Sequence, residues 1–142
     1  MMFEAQTEWI APDNFPNLSG YKFISIDLET RDPDLKSKGS GSVIGNGEII
    51  GVAVAVDGWC KYYPFGHEGG GNLDKKKILS WLKDICATDS TKIFHNAMYD
   101  VCWLRSYGIK VNGHIMDTMV MASLVDENRM RYTLNALSWE YL

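Results

Sequence analysis

The sequence predicts an α/β domain with a mixed β-sheet, in which three antiparallel strands come first and helices then alternate with strands. The first half carries runs of β-branched and aromatic residues joined at Asp57-Gly58, a dipeptide favoured in tight hairpin turns. The second half alternates short apolar runs with stretches whose apolar residues recur at helical spacing. A length of 142 residues with 46% hydrophobic and 23% charged side chains is ordinary for one globular domain.

The first half of the chain is predicted to contain an arm and three strands. Residues 1–20 include prolines and show no clear period, so they form a lead-in arm before a domain that spans residues 21–142. Residues 21–30 have the pattern of a strand, residues 31–47 that of a long polar loop, and residues 48–56 and 59–65 that of the hairpin. The apolar side chains of the arm that are expected to pack on the domain are Phe3, Trp9, Ile10 and Phe15.

The second half is predicted to contain four helices and two short strands. Asn72 or Asp74 can cap the first helix, whose apolar face consists of Ile78, Leu79, Leu82 and Ile85. Residues 92–95 form a buried strand, and the helix at 98–107 ends at Gly108, a natural stop. The remaining elements are a strand at 113–116, a helix at 117–125 capped by Asp117, and a last helix at 132–142 with Leu134, Leu137 and Tyr141 on one face.

Composition excludes several classes of protein. No apolar run approaches the ~18 residues that a membrane span needs, and the first ten residues lack the basic start and apolar stretch of a signal peptide. We therefore expect a cytosolic chain without a membrane partner. Cys60, Cys86 and Cys102 are widely spaced in apolar surroundings, which predicts reduced packing residues. The net charge of −4 gives no general attraction to nucleic acid, but an acidic metal centre beside local basic patches is compatible with a nuclease.

Two acidic residues interrupt a strand that otherwise has a buried pattern. In FISIDLET, Asp27 and Glu29 alternate with apolar residues, so both point to one face of the strand. In HNAMYD, Asn96 and Asp100 lie one helical turn apart after the fourth strand, and a neighbouring parallel strand would bring them beside Asp27. Three converging carboxylates without a fixed cationic partner predict a divalent ion, and oxygen-only ligands favour Mg²⁺ or Mn²⁺.

Each of these signals also has an ordinary structural interpretation. An Asp-x-Glu pair is common at a solvated strand end, and an Asn-x-x-x-Asp spacing is common where a helix is capped. His95 is expected to be a packed strand residue, and His67 and His114 are isolated loop histidines without a ligand partner at a recognisable spacing. The glycines at 69–71 lack the Lys and Ser/Thr of a phosphate-binding loop. The hypothesis therefore depends on the co-occurrence of the signals.

Taken together in their order along the chain, the segments that carry these motifs resemble a known protein family. IDLET, the hairpin, HNAMYDVCWL and IMDTMVMASLVDENRMRYTLNALSWEYL are similar to the proofreading 3′–5′ exonuclease domain of family A DNA polymerases, of phage type, within the DEDD exonuclease superfamily. The resemblance covers residues 21–142. It implies a ribonuclease H-like fold, metal-assisted phosphodiester hydrolysis with two Mg²⁺ or Mn²⁺ ions, and a single-stranded DNA 3′ end as substrate. It also implies the rest of a polymerase chain as partner.

The resemblance assigns roles residue by residue. Asp27, Glu29 and Asp100 match the catalytic, metal-binding carboxylates, and Asn96 matches the Asn of the second motif. Thr30, directly after Glu29, would lie against the 3′-terminal nucleotide. On the adjacent loop, Arg31, Lys36 and Lys38 could contact phosphates of the entering strand, although a charged loop is more often simply solvated.

One part of the family pattern is missing. The third motif, Tyr-x-x-x-Asp or His-x-x-x-x-Asp, does not occur after Asp100. We therefore expect a C-terminally truncated domain whose activity in isolation is weak or absent. Two alternatives stay open: an RNA-trimming 3′–5′ exonuclease of the ribonuclease D type, and a non-catalytic module that binds a DNA end or a polymerase body.

Overall fold

The computed structural model describes residues 10–142, so Phe3 and Trp9 of the predicted arm lie outside it. The centre of the fold is a five-stranded sheet with strand order β3-β2-β1-β4-β5. Its strands are β1 (Phe23–Arg31), β2 (Glu48–Val56), β3 (Trp59–Pro64), β4 (Thr91–Phe94) and β5 (Ile115–Asp117). β1, β2 and β3 pair antiparallel, whereas β1 pairs with β4, and β4 with β5, in parallel. The predicted mixed sheet and its antiparallel meander are confirmed.

Within residues 10–142, six helices connect and flank the strands. Two short ones precede β2 and four follow β3, and their boundaries lie within a few residues of those predicted after residue 72. The helices are α1 (Leu35–Lys38), α2 (Gly41–Ile44), α3 (Lys75–Ala87), α4 (Ala97–Ser106), α5 (Thr118–Val125) and α6 (Leu134–Tyr141). Asp74 caps α3 by accepting the backbone N–H groups of Lys76 and Lys77, as predicted for one of two candidates.

The prediction that residues 31–47 form only a loop is wrong, because this segment contains α1 and α2. The Asp32 carboxylate accepts the backbone N–H of Gly41 at 3.0 and 3.1 Å, which pins the start of α2. Gly41 has no room for a side chain, since a Cβ there would lie 1.7 Å from the Asn46 carbonyl oxygen. Gly45 ends α2 in the left-handed conformation with φ 75°. These are contacts between residues several positions apart, so local composition did not reveal them.

The core lies on one face of the sheet. Ile24, Ile26 and Leu28 of β1 point into it, and α3 covers it with Ile78 and Leu82. Burying such side chains contributes about 1.5–3 kcal/mol each. The acidic residues of β1 alternate with these three and face the other way. The core therefore fixes which side of the sheet receives the carboxylates.

The end of the predicted arm packs on this core in part. Phe15 stacks on Tyr63 at a ring-centroid distance of 5.4 Å, and the Trp81 indole donates to the Pro16 carbonyl at 2.8 Å. Ile10 is 81% exposed, so its predicted packing is wrong. It borders the open face of the sheet instead of the core.

Lys92 of β4 is fully buried and takes the place of an apolar core residue. Its ammonium group donates to the carbonyls of Thr88, Ser90 and Asn112, at 3.0 Å for the last two. Burial lowers the pKa of Lys92. The ammonium group therefore links the end of α3 to the loop before β5. It supplies a hydrogen-bond donor to each of these three backbone carbonyls.

The cysteines divide into different environments. Cys86 is buried, as predicted for a packing residue, and burial raises the pKa of its thiol to about 12. Cys102 is half-buried, whereas Cys60 is exposed, which corrects its assignment as a packing residue. Cys60 lies on the edge strand β3 and faces the side of the sheet away from the core. Among residues 10–142, no helix is long and apolar enough to cross a membrane.

Candidate functional site

β1 presents Asp27 and Glu29 on the face of the sheet opposite the core. Both are exposed, while Leu28 between them is buried. β1 and β2 shift register between Glu29 and Thr30, where Glu29 pairs with Gly51 and Thr30 with Ile49. Such a bulge bends the strand and re-aims the side chains that follow it. The two carboxylates therefore lie just before a bend in the central strand.

Asp100 is the third predicted carboxylate, and α4 carries it to the same strand. It is 4% exposed, and its Oδ1 accepts the backbone N–H of Leu28 at 3.1 Å. Burial raises the pKa of Asp100 to about 7; the Leu28 N–H opposes this rise and the negative charge of Asp27 adds to it. A contact between residues 72 positions apart thus joins the two motifs at the backbone between Asp27 and Glu29.

The pKa of Asp27 is raised as well. Although part of the Asp27 side chain is exposed to solvent, desolvation by the surrounding protein raises its pKa, and the nearby His95 ring opposes this rise. His95 is bound through Nδ1 to the Thr118 hydroxyl at 2.9 Å, while its Nε2 is buried and has no hydrogen-bond partner in the described part of the chain. Within residues 10–142, neither Asp27 nor Asp100 forms an ion pair with a Lys or Arg side chain. In this part of the chain, therefore, no Lys or Arg side chain offsets the cost of placing the two carboxylates together.

The structure brings together two of the three predicted ligands. Over the described residues, no three His, Cys, Asp or Glu side chains converge closely enough to hold a metal ion. Asp27 lies close enough to Asp100 for its negative charge to raise the pKa of that carboxyl. Two unpaired carboxylates are oxygen donors of the kind that Mg²⁺ and Mn²⁺ prefer. The donor chemistry fits a divalent ion, but in the described part of the chain no third carboxylate lies close enough to complete a set of three ligands.

Asp117 contributes to the site through the backbone, which the sequence analysis missed. Its carboxylate caps α5, as predicted, and it also accepts the N–H groups of Asn96 and Ala97 at 3.0 and 2.7 Å. Asn96 adopts the left-handed conformation with φ 68°, rare for a residue with a side chain. One carboxylate therefore fixes the starts of two helices, and the hydrogen bonds hold the pKa of Asp117 low. The sequence offered the cap signal but not the second partner.

The predicted substrate-binding residues have different surroundings. Thr30 bonds through its hydroxyl to the Tyr99 phenol at 2.8 Å, and Tyr99 donates in turn to Asp32 at 3.0 Å. The side chain of Asn96 is exposed at the start of α4. Lys36 and Lys38 lie on α1 and not on a loop, and both are exposed. Lys38 pairs with Asp34 at 3.1 Å.

Arg31, which was predicted with Lys36 and Lys38 to contact phosphates, also forms hydrogen bonds within the protein. Its guanidinium donates to Glu48 at 3.2 Å and to the Gly66 carbonyl at 2.9 Å. These bonds connect the end of β1 to the start of β2 and to the segment after β3. A phosphate would compete with them for the same side chain.

A cavity of about 750 Å³ opens along this face of the sheet. Asp27 lies on its border, with Tyr62 of β3 on one side and His95 of β4 on the other. The Tyr62 hydroxyl hydrogen-bonds to Nε2 of His67. His67, expected to be an isolated loop histidine, is therefore linked to the residue beside the carboxylates. The placement of Tyr62 beside Asp27 had no local signal in the sequence, because it depends on the pairing of three strands.

Sequence comparisons agree with the motifs. A family model described as 3′–5′ exonuclease matches residues 6–142. A DNA-directed DNA polymerase of Pseudomonas phage M6 is 33% identical over 144 residues, which cover 93% of this chain and 21% of that protein. DNA polymerase DpoZ of Salmonella phage PMBT28 is 30% identical over 133 residues, which cover 90% of this chain and 18% of that protein. The chain spans about a fifth of the length of these relatives.

Structural comparisons identify the fold. Brucella melitensis NrnC bound to pGG superposes with a TM-score of 0.64 at 18% identity, over 93% of this chain and 57% of that one. The POL domain of Pol1 from M. smegmatis, in complex with DNA primer-template and dNTP, superposes with a TM-score of 0.60 at 19% identity. That match covers 87% of this chain and 19% of that one. The predicted ribonuclease H-like fold is confirmed.

Proposed function

Because the chain belongs to the 3′–5′ exonuclease family of family A DNA polymerases, we propose that it removes nucleotides from the 3′ end of single-stranded DNA as the proofreading domain of a larger polymerase. Its partners are then the 3′ end of single-stranded DNA and the remainder of that polymerase chain. Its location is then the cytoplasm. The domain organisation that goes with this function is an arm over residues 1–20 and an exonuclease domain over residues 21–142.

The observation that carries the proposal is the hydrogen bond from the Leu28 N–H to the buried Asp100 carboxylate at 3.1 Å. This bond joins Asp100 of the second motif to the backbone of the first motif, between Asp27 and Glu29. A structural carboxylate would be expected to have a basic partner, since burying an unpaired charge is costly. Within residues 10–142, Asp100 has the Leu28 amide and a repelling Asp27 instead. A divalent cation would remove that repulsion.

We assign roles on this basis. Asp27, Glu29 and Asp100 would hold Mg²⁺ or Mn²⁺, and the bound ions would supply an activated water and stabilise the leaving 3′-oxygen. Thr30 and Asn96 would contact the terminal nucleotide. Lys36 and Lys38, exposed on α1, would attract the phosphates of the incoming strand. The protein's own contribution is to hold the acidic groups at one strand and to keep the terminal phosphodiester beside them.

A cleavage assay tests the proposal. Single-stranded DNA with a 5′ fluorophore is incubated with the 142-residue chain and Mn²⁺, with parallel substrates that carry a blocked 3′ end or consist of RNA. We expect slow shortening from a free DNA 3′ end, slow because no third-motif Tyr or His pattern follows Asp100. Shortening should disappear in Asp27→Ala and persist in Asp84→Ala, which removes an exposed carboxylate of α3.

Three outcomes would contradict the proposal. Equal cleavage of blocked and free ends would indicate an endonuclease. Faster shortening of RNA would support the ribonuclease D alternative. Binding of DNA ends that is unchanged by Mn²⁺ and by Asp27→Ala, with no cleavage at all, would support the non-catalytic module.

A further inference from the structure

The connection between β1 and β2, residues 32–47, is closed by its own side chains, and we call it the β1–β2 segment. The Asp34 carboxylate accepts from Lys38 Nζ at 3.1 Å and from Asn46 Nδ2 at 2.8 Å, so it joins the start of the segment to its end. The serine hydroxyls of the segment also bond inside it. Its exposed large apolar side chains are Leu35, Val43 and Ile44. The segment therefore depends on a small number of contacts to hold it on the rest of the fold.

The helix α4 supplies contacts at both ends of the β1–β2 segment. At the start, the Tyr99 phenol donates to the Asp32 carboxylate at 3.0 Å. At the end, Gly47 lies against the buried Trp103, since a Cβ at Gly47 would be 3.3 Å from the indole ring. Asp32 extends the first contact to the middle of the segment, because its two oxygens accept the Gly41 N–H at 3.0 and 3.1 Å. Asp32 therefore joins the segment to α4 by hydrogen bonds, and Gly47 joins them by packing.

The hydrogen bonds around Asp32 have a defined direction. The Thr30 and Tyr99 hydroxyl oxygens are 2.8 Å apart. The single phenol proton is donated to Asp32, so the Thr30 hydroxyl is the donor to Tyr99. An ionised carboxylate only accepts, and it can therefore serve both the Tyr99 O–H and the Gly41 N–H. An amide in its place would turn a donor toward one of these two donors.

The β1–β2 segment carries the two lysines that are predicted to contact phosphates. Lys38 is paired with Asp34, whereas Lys36 is exposed and forms no ion pair within residues 10–142. The residue that follows Tyr99 in α4 is Asp100, whose carboxylate is bonded to the backbone of β1. Two adjacent residues of α4 thus hold the carboxylate site and the lysine-bearing segment.

We propose that Asp32 is a positioning residue, which holds the β1–β2 segment on α4 through Tyr99 and so keeps Lys36 at a fixed place relative to Asp27 and Asp100. A strand whose 3′-terminal phosphodiester lies at the carboxylates then meets the Lys36 charge without first having to order the segment. The contact of Lys36 with a phosphate rests on the proposed function. The attachment of the segment through Asp32 does not.

The first test measures the attachment itself and compares Tyr99→Phe with Tyr107→Phe. Tyr107 is a matched control at the end of α4, where its hydroxyl accepts the Ile49 N–H at 3.2 Å. In EDTA, amide hydrogen exchange at Gly41 and along the β1–β2 segment should become about fivefold to tenfold faster in Tyr99→Phe, as expected for loss of one hydrogen bond. Asp32→Asn should have the same effect, and Tyr107→Phe should change these rates by less than about twofold.

The second test measures what the attachment does for DNA binding, by the fluorescence anisotropy of a labelled single-stranded oligonucleotide in EDTA. Lys36→Ala should weaken binding and reduce the slope of log K against log salt concentration by about 0.7, the value for one phosphate of a single strand. In the Tyr99→Phe background, Lys36→Ala should cost less affinity than it does in the wild type, because the lysine is no longer held in place. The Mn²⁺ affinity of Tyr99→Phe should equal that of the wild type, which distinguishes loss of positioning from general damage to the site.

The possible results separate the inference from the proposed function. Unchanged exchange of the β1–β2 segment in folded Tyr99→Phe and Asp32→Asn overturns the inference. A cost of Lys36→Ala that is the same with and without the Tyr99 hydroxyl also overturns it. Faster exchange in Tyr99→Phe, in a chain whose wild type binds no single-stranded DNA, would leave the attachment through Asp32 standing and count against the proposed function.

Discussion

Replacing Asp100 by asparagine should remove much of the pH dependence of the stability of the metal-free chain. The folded state holds the pKa of this carboxyl at about 7, against an ordinary value of 3.8. Between these values the folded state binds a proton that the unfolded state has lost. The free energy of unfolding therefore falls as pH rises through this window. Asparagine has the same shape, keeps an oxygen that can accept the Leu28 N–H, and does not titrate.

The magnitude follows from the width of the window. From about pH 5 to about pH 8, the wild-type chain should lose about 3 kcal/mol relative to Asp100→Asn, because each pKa unit crossed below 7 corresponds to ~1.4 kcal/mol. Most of the loss should occur below about pH 7 and then level off. The variant should be the more stable chain at the upper end.

The assay is urea unfolding followed by tryptophan fluorescence, in EDTA, at unit steps of pH. Asp84→Asn is a suitable control, because Asp84 is exposed on α3 and far from this contact in sequence. Parallel pH profiles for wild type and Asp100→Asn would refute the reasoning, since they would mean that the buried carboxyl titrates alike in both states.

Two further stability predictions concern residues that hold the site in place. Asp117→Ala should lower the free energy of unfolding by about 2–3 kcal/mol, because it removes the cap of α5 and the bonds to the first N–H groups of α4. This deficit should shrink as pH falls below 3.8, because the lowered pKa of Asp117 makes its contribution one of the ionised form; a deficit that grows in acid would contradict this account. Lys92→Met should cost about 2–4 kcal/mol in urea unfolding, since it leaves three carbonyls without their donor, whereas the exposed Lys83→Met should change stability by less than about 0.5 kcal/mol. A neutral Lys92→Met would show that those carbonyls are satisfied by water.

The elements with strong local signals were predictable. The alternation in β1, the Asp57-Gly58 turn and the cap at Asp74 are each specified by a few adjacent residues, and all three occur as expected. Antiparallel pairing of three successive strands follows from short connections. The shared face of Asp27 and Glu29 was predictable for the same reason, because side-chain alternation along a strand is a local property.

The parts that were missed depend on contacts distant in sequence. The helices within residues 31–47 form where Asp32 meets Gly41, and the second partner of Asp117 appears only when β5 lies beside β4. The place of Tyr62 requires the register of three strands and the absence of a side chain at Gly51. The predicted convergence of three carboxylates is not present among residues 10–142, because the alternation of side chains along a strand fixes the face of Glu29 but not the distance of its carboxylate from Asp100.

The most direct test of the central claim is a calorimetric titration of the 142-residue chain with Mn²⁺, at about pH 8, where carboxyl groups with pKa values up to about 7 are largely ionised. The account predicts measurable binding that is lost in Asp27→Ala and in Asp100→Ala and is unchanged in Asp84→Ala. It also predicts a rise in the thermal midpoint with Mn²⁺ that follows the same order, because an ion that binds only the folded state stabilises it. Equal Mn²⁺ affinity in wild type and Asp27→Ala would contradict the claim that these carboxylates form the metal site.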